Sequence, residues 1–194
     1  MDNILITAFE PFNGKEQNSS FEVLNRLNRS FLIKEILPVS YEKSKKIMKE
    51  LIDKYHPKLI INLGEASGEK KLRFEKYAHN YQRSSIEDND GVVINKGIVV
   101  KDGPICLETV LDIEGLVDNL NEHNIPAYIS LSAGSYICNT TYYTSLYENK
   151  NRAIFIHLPN YIGQFENAYG LELNDMVDYL AYFVDKVHSR MLRR

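Results

Sequence analysis

Tryptophan is absent from this chain, and cysteine occurs only twice, at Cys106 and Cys138. Two isolated cysteines without metal-ligand spacing exclude a zinc-ribbon or iron–sulfur framework, so no metal site is expected. They are also too few to staple a small secreted domain. No apolar run reaches membrane-spanning length, and the opening residues carry no signal-peptide pattern. Positive charge is not in excess, and a net charge of −3 argues against nucleic acid or an anionic membrane as partner. Phosphate-binding motifs are missing too: the turn Gly64-Glu65-Ala66-Ser67-Gly68 lacks the lysine and the glycine spacing such loops need. These absences lead us to expect a cytoplasmic protein in a reducing compartment.

What is present is enough for one full core. At 194 residues and 44% hydrophobic content, a single domain over residues 1–194 is the expected organisation. Ile4–Ala8, Phe31–Leu37, Leu59–Leu63, Ala127–Leu131 and Ala153–Leu158 are short apolar runs that read as buried strands. Helices are predicted from Ser19 to Leu27, opened by a Ser-x-x-Glu capping box, and from Tyr41 to Tyr55, stopped by Pro57. Further helical patterns cover 107–123, about 139–147 and 174–192. Leu72–His79 is expected to be extended, and Gly91–Val100 to form a hairpin turning near Asn95-Lys96-Gly97. Buried strands alternating with helices predict a three-layer α/β/α sandwich around a largely parallel (mixed) sheet, with a hairpin insertion in the middle of the chain.

The chemistry centres on Cys138. It follows the Ala127–Leu131 strand and a glycine at Gly134, and it stands at a predicted helix start. Free N–H groups and a partial positive charge at such a start favour a thiolate. His157 ends the Ala153–Leu158 strand just before Pro159. A cysteine and a histidine beyond the ends of neighbouring strands are the parts of a thiolate–imidazolium nucleophile. In parallel sheets such residues gather outside the carboxyl ends of the strands. An orienting carboxylate could come from Glu10, Glu65, Glu69 or Glu75, and spacing alone does not choose among them. Cys106 has no such histidine and reads as structural.

With these residues named, the chain resembles the pyroglutamyl peptidases, or pyrrolidone carboxyl peptidases. Three segments carry the likeness: Ile4 to Phe12, Ser132 to Asn139, and Phe155-Ile156-His157-Leu158-Pro159. The resemblance implies a triad of Cys138 as nucleophile, His157 as base and then acid, and Glu75 as the group that orients the imidazole. It implies removal of N-terminal 5-oxoproline from blocked peptides through a thioester, with no cofactor, and a homo-dimer or homo-tetramer. It also implies a substrate pocket built from Phe9, Phe12, Asn18, Tyr136 and backbone groups of Glu65 and Ile137. Several positions depart from the family pattern. Asn13 stands at a usual glycine, Glu65 at a usual glutamine, and Glu69 and Ser85 at usual arginines. Two alternatives therefore stay open: a cysteine amidohydrolase with a changed substrate, and an inactive homologue that binds or self-assembles.

Overall fold

The computed structural model describes residues 3–193. Its main sheet has six strands in the order β2-β1-β3-β8-β4-β7. Four of them are parallel: β1 (Ile4–Phe9), β2 (Leu32–Leu37), β3 (Leu59–Glu65) and β8 (Ala153–Leu158). β4 (Leu72–Glu75) lies antiparallel against β8, and β7 (Ala127–Ser130) extends the edge parallel to β4. The central strands are buried along their whole length, so they read as unbroken apolar runs rather than as alternation.

Helices cover both faces. α1 (Ser19–Arg26), α3 (Ile113–Glu122) and α5 (Leu173–Met191) pack with Ile4, Ile6, Leu59, Ile61, Ile154 and Ile156 on one side. α2 (Tyr41–Tyr55) and α4 (Ile137–Glu148) pack with Leu5, Phe9, Ile60 and Phe155 on the other. Each fully buried Ile or Leu side chain contributes roughly 1.5–3 kcal/mol, so two such cores suffice to hold three layers. Among the described residues, no helix is long and apolar enough to cross a membrane.

Four local expectations need correction. The cap of α1 is Asn18, whose side chain accepts from Ser20 N, and not Ser19. The 107–123 helix begins only at Ile113: Val110 is exposed, and the Asp112 side chain caps Gly115 N. The segment 91–100 forms no hairpin of its own. Instead β5 (Tyr77–His79) pairs antiparallel with β6 (Cys106–Glu108), and Gln82 bridges Gly97 within the excursion between them. Cys106 is consequently exposed on β6.

The fourth correction concerns the rim. Because β4 and β7 run against the other four strands, β7 ends at Ser130 level with Phe155, below the rim that carries His157. β4 also separates β7 from β8. Cys138 therefore reaches the rim through the loop at 131–136 and the start of α4. It does not lie beyond the carboxyl end of a strand next to that of His157.

Candidate active site

The loop before α4 is shaped by Gly134, whose φ of 81° suits a residue without a side chain. Two bonds fasten the loop to the middle segment: Arg83 N donates to Ser135 O at 2.9 Å, and Ser135 Oγ donates to Arg83 O at 2.9 Å. Tyr136 caps α4 with extended backbone, and no side chain among the described residues bonds this helix start. The N–H groups of the first turn are therefore not taken up by a capping side chain. Cys138 is the second residue of the helix.

Helix α4 is enclosed on nearly all sides, which explains its run of Asn, Thr, Tyr and Ser in place of an apolar stripe. Thr144 and Ser145 satisfy their hydroxyls on carbonyls one turn back, at 2.8 and 2.9 Å. Asn139 stitches the helix to β5: it accepts from His79 N at 2.9 Å and donates to His79 O and Tyr81 O at 2.8 and 2.9 Å. Tyr142 donates to the Glu75 carbonyl at 2.9 Å. The helix that bears Cys138 and the strand that bears Glu75 are thereby locked in register.

Gly64 is where the parts converge. It pairs with His157 across β3 and β8. A Cβ on it would stand 3.2 Å from Cys138 Sγ and 2.7 Å from the Phe155 ring. That ring in turn lies 4.6 Å from the imidazole of His157, centroid to centroid. His157 Nδ1 donates to Glu75 Oε1 at 2.7 Å, and both side chains are buried. Glu75 is thus the acid that meets the imidazole, which spacing alone left undecided.

Arg73, which the sequence reading passed over, joins this pair. Its Nε donates to Glu75 Oε1 at 2.8 Å, and its Nη1 donates to Glu69 Oε1 at 3.0 Å. Tyr128 of β7 also donates to Glu69 Oε1, at 2.8 Å. The signal was present as Arg73-Phe74-Glu75: residues two apart on a strand share a face.

Electrostatics set the resting protonation. Burial pushes the Cys138 thiol up to about 12, aided by the Glu75 charge and only partly offset by Arg73 and by a backbone hydrogen bond. Burial likewise pulls His157 below its ordinary range, and Arg73 acts in the same direction while Glu75 opposes both. Both shifts favour the neutral thiol and the neutral imidazole over the ion pair. Desolvation thus opposes the thiolate that the helix start favours. Cys138 still keeps partial exposure as a residue, which leaves an approach for a substrate.

The remaining predicted residues fall in two groups. Phe12 and Tyr136 face each other with ring centroids 6.4 Å apart, and Tyr136 Oη donates to Glu87 O at 3.0 Å. Phe9 is core, 3% exposed and stacked against Phe155. Ile137 is buried as the first residue of α4. Asn18 is committed to the fold: it accepts from Ser20 and donates to Glu10 O at 3.3 Å. Burial alone would raise Glu65, but Lys15, Ser19 N and Gln164 outweigh it and hold the carboxyl below its ordinary range. Its charge is therefore spent within the protein rather than aimed at a ligand. Ser85 and the Arg83 side chain are outward-facing, Ser85 exposed like Arg83.

A profile of the pyroglutamyl peptidase family (Peptidase C15) matches residues 2–171. The pyrrolidone-carboxylate peptidase of Thermosipho melanesiensis is 36% identical over 198 residues, covering 96% of this chain and 98% of that protein. The one from Thermococcus onnurineus is 36% identical over 165 residues, covering 80% and 82%. Among solved structures, pyroglutamyl peptidase I of Bacillus amyloliquefaciens superposes with a TM-score of 0.87 at 30% identity, covering 94% of this chain and 95% of that one. The pyrrolidone carboxyl peptidase of Thermococcus litoralis reaches 0.92 at 26% identity, covering 100% and 96%.

Proposed function

Since the chain belongs to the pyroglutamyl peptidase family, we propose that it removes an N-terminal pyroglutamyl residue from peptides, with Cys138, His157 and Glu75 as its catalytic residues. The observation that carries this reading is the buried His157–Glu75 bond of 2.7 Å, with Cys138 Sγ approaching Gly64, the register partner of His157. In the proposed reaction Sγ attacks the carbonyl that joins 5-oxoproline to the next residue. His157 accepts the thiol proton as the C–S bond forms. Burial disfavours both the thiolate and the imidazolium, so in this reading proton transfer and attack are coupled.

The oxyanion that develops is met by the N–H groups at the start of α4. Glu75 steadies the imidazolium, which then gives its proton to the departing amine. Water next attacks the thioester, His157 takes its proton and passes it to Cys138 Sγ as the C–S bond breaks, and free 5-oxoproline leaves without a cofactor. The leaving group is an ordinary peptide amine, while the recognised end is a neutral lactam. An apolar slot with a few hydrogen-bonding groups suits such a ring. Phe12 and Tyr136 are assigned its walls, Phe9 its floor, and backbone groups of Glu65 and Ile137 its polar contacts. Asn18 supports the slot by bracing Glu10 O.

Release of a fluorophore from a pyroglutamyl amide by the wild-type protein, abolished in Cys138→Ala, is the expected result. Equal turnover by that variant would overturn the assignment. A second copy of the chain is the proposed occupant of the exposed apolar side chains Ile86, Val92, Val93 and Ile98, as sedimentation would reveal. We also assign the protein to the cytoplasm, where its two free thiols stay reduced.

A further inference from the structure

Glu75 uses its two oxygens unequally. Oε1 accepts from both His157 Nδ1, at 2.7 Å, and Arg73 Nε, at 2.8 Å. Oε2 is buried and has no hydrogen-bond partner among the described residues. Two donors therefore converge on one oxygen, and Arg73 Nη2 comes within 3.2 Å of His157 Nδ1. With Nδ1 donating to Glu75, that last contact sets one donor against another. The guanidinium bears on the imidazole by charge rather than by a hydrogen bond.

The sheet imposes this arrangement. Arg73 stands directly opposite His157 in the antiparallel β4–β8 pair, and Glu75 follows two residues later on the same face. Glu69 and Tyr128 fix the far side of the guanidinium. Glu69 occupies the position where the family resemblance calls for arginine, and here it accepts from Arg73 four residues along.

We propose that Arg73 is a positioning residue of this peptidase, which selects the Glu75 oxygen that meets His157 and sets the protonation of the imidazole through its charge. This rests on the assignment of Cys138, His157 and Glu75 above. The charged or titratable groups around His157 are Arg73 and Glu75 on β4, Glu69 in the preceding turn, Tyr128 on β7 behind Glu69, and Cys138 on α4. Glu65, at the end of β3, is engaged with Lys15 instead. Arg73 is the one cation in that set. Removing it leaves His157 facing Glu75 and Glu69 unopposed, which favours the imidazolium.

The test is the pH dependence of kcat/KM on a fluorogenic pyroglutamyl amide for wild type, Arg73→Gln, Arg73→Lys and Glu69→Gln. The imidazole signals of His157 are titrated by NMR in the same free proteins. Arg73→Gln is expected to move the acid limb and the His157 titration upward together, by about one pH unit. Arg73→Lys should return most of that shift, because it restores the charge without the fork. Glu69→Gln should move both in the opposite direction, since it removes an anion, and it serves if Arg73→Gln does not fold. A uniform loss of rate with the limb and the titration unmoved would overturn the proposal, as would a Glu69→Gln shift of the same sign as Arg73→Gln. If no variant or wild type turns over the amide, the peptidase reading fails while the NMR titration still decides the role of Arg73.

Discussion

Replacing Gly64 with alanine should damage stability and catalysis together. The added Cβ would lie 2.7 and 2.9 Å from two ring carbons of Phe155 and 3.2 Å from Cys138 Sγ, where ordinary contact begins at 3.4 Å. Phe155 is fully buried and is hemmed in by Phe9, Tyr142 and His157 at centroid distances of 6.5, 5.9 and 4.6 Å. The ring cannot retreat without disturbing the imidazole or the core, so the cost falls in the range of about 1–3 kcal/mol for an overpacked interior. For a chain of this size that corresponds to a fall in Tm of roughly 3–10 °C. The thiol must also yield by a few tenths of an ångström, and misplacements approaching 1 Å cost up to about 100-fold in rate. Thermal unfolding by circular dichroism and kcat/KM on a pyroglutamyl amide would read the two effects. Gly64→Ala with Phe155→Leu should recover much of the Tm, because the shorter side chain vacates the clash. Wild-type Tm and wild-type kcat/KM in the single variant would refute the packing argument.

Other expectations follow from the same geometry. Glu75→Gln should lower kcat by about 100-fold or more and stability by about 3 kcal/mol, at the low end for a broken buried pair because Arg73 keeps Glu69; denaturant midpoints and steady-state rates check both. Glu65→Gln should cost about 1–2 kcal/mol at neutral pH. Because folding lowers the Glu65 pKa, its contribution is complete above the unfolded value and fades as pH falls through the folded one, so the two urea midpoints should converge in acid. Cys138 should react slowly with iodoacetamide at neutral pH and faster as alkali is added, in keeping with a thiol at about 12; a fast plateau near neutrality would contradict a thiol kept neutral by burial. Asn18→Ala should lose the α1 cap and about 1 kcal/mol, measured by thermal unfolding with substrate affinity followed alongside.

The sequence made the sandwich legible because its central strands are continuous apolar runs. α2 was bounded at Tyr41 and Tyr55 because a serine cap and Pro57 mark its ends. Strand direction was not legible. β4 is only four residues long, and nothing in Leu72 to Glu75 says that it reverses against β8. The rim argument therefore misplaced the route by which Cys138 approaches Gly64. The start of α3 was missed because Val110 and Leu111 match a helical period that the Asp112 cap interrupts. The burial that opposes a thiolate was hidden for a different reason. A helix start is visible in sequence, whereas the burial of a thiol among Gly64, Phe155 and Tyr142 is a tertiary property. The family resemblance, not spacing, had singled out Glu75, and its bond to His157 is a tertiary contact that sequence does not display. Arg73 escaped notice because a charged residue on so short a strand gives no sign in sequence that β4 lies between β8 and β7.

Rapid-quench mass spectrometry of the protein mixed with a pyroglutamyl ester tests the central claim most directly. One pyroglutamyl group bound through a thioester to the peptide containing Cys138, formed and discharged at the rate of turnover and absent in Cys138→Ser, is the predicted result. Turnover with no adduct at Cys138, or an adduct on another residue that persists in Cys138→Ser, would contradict it.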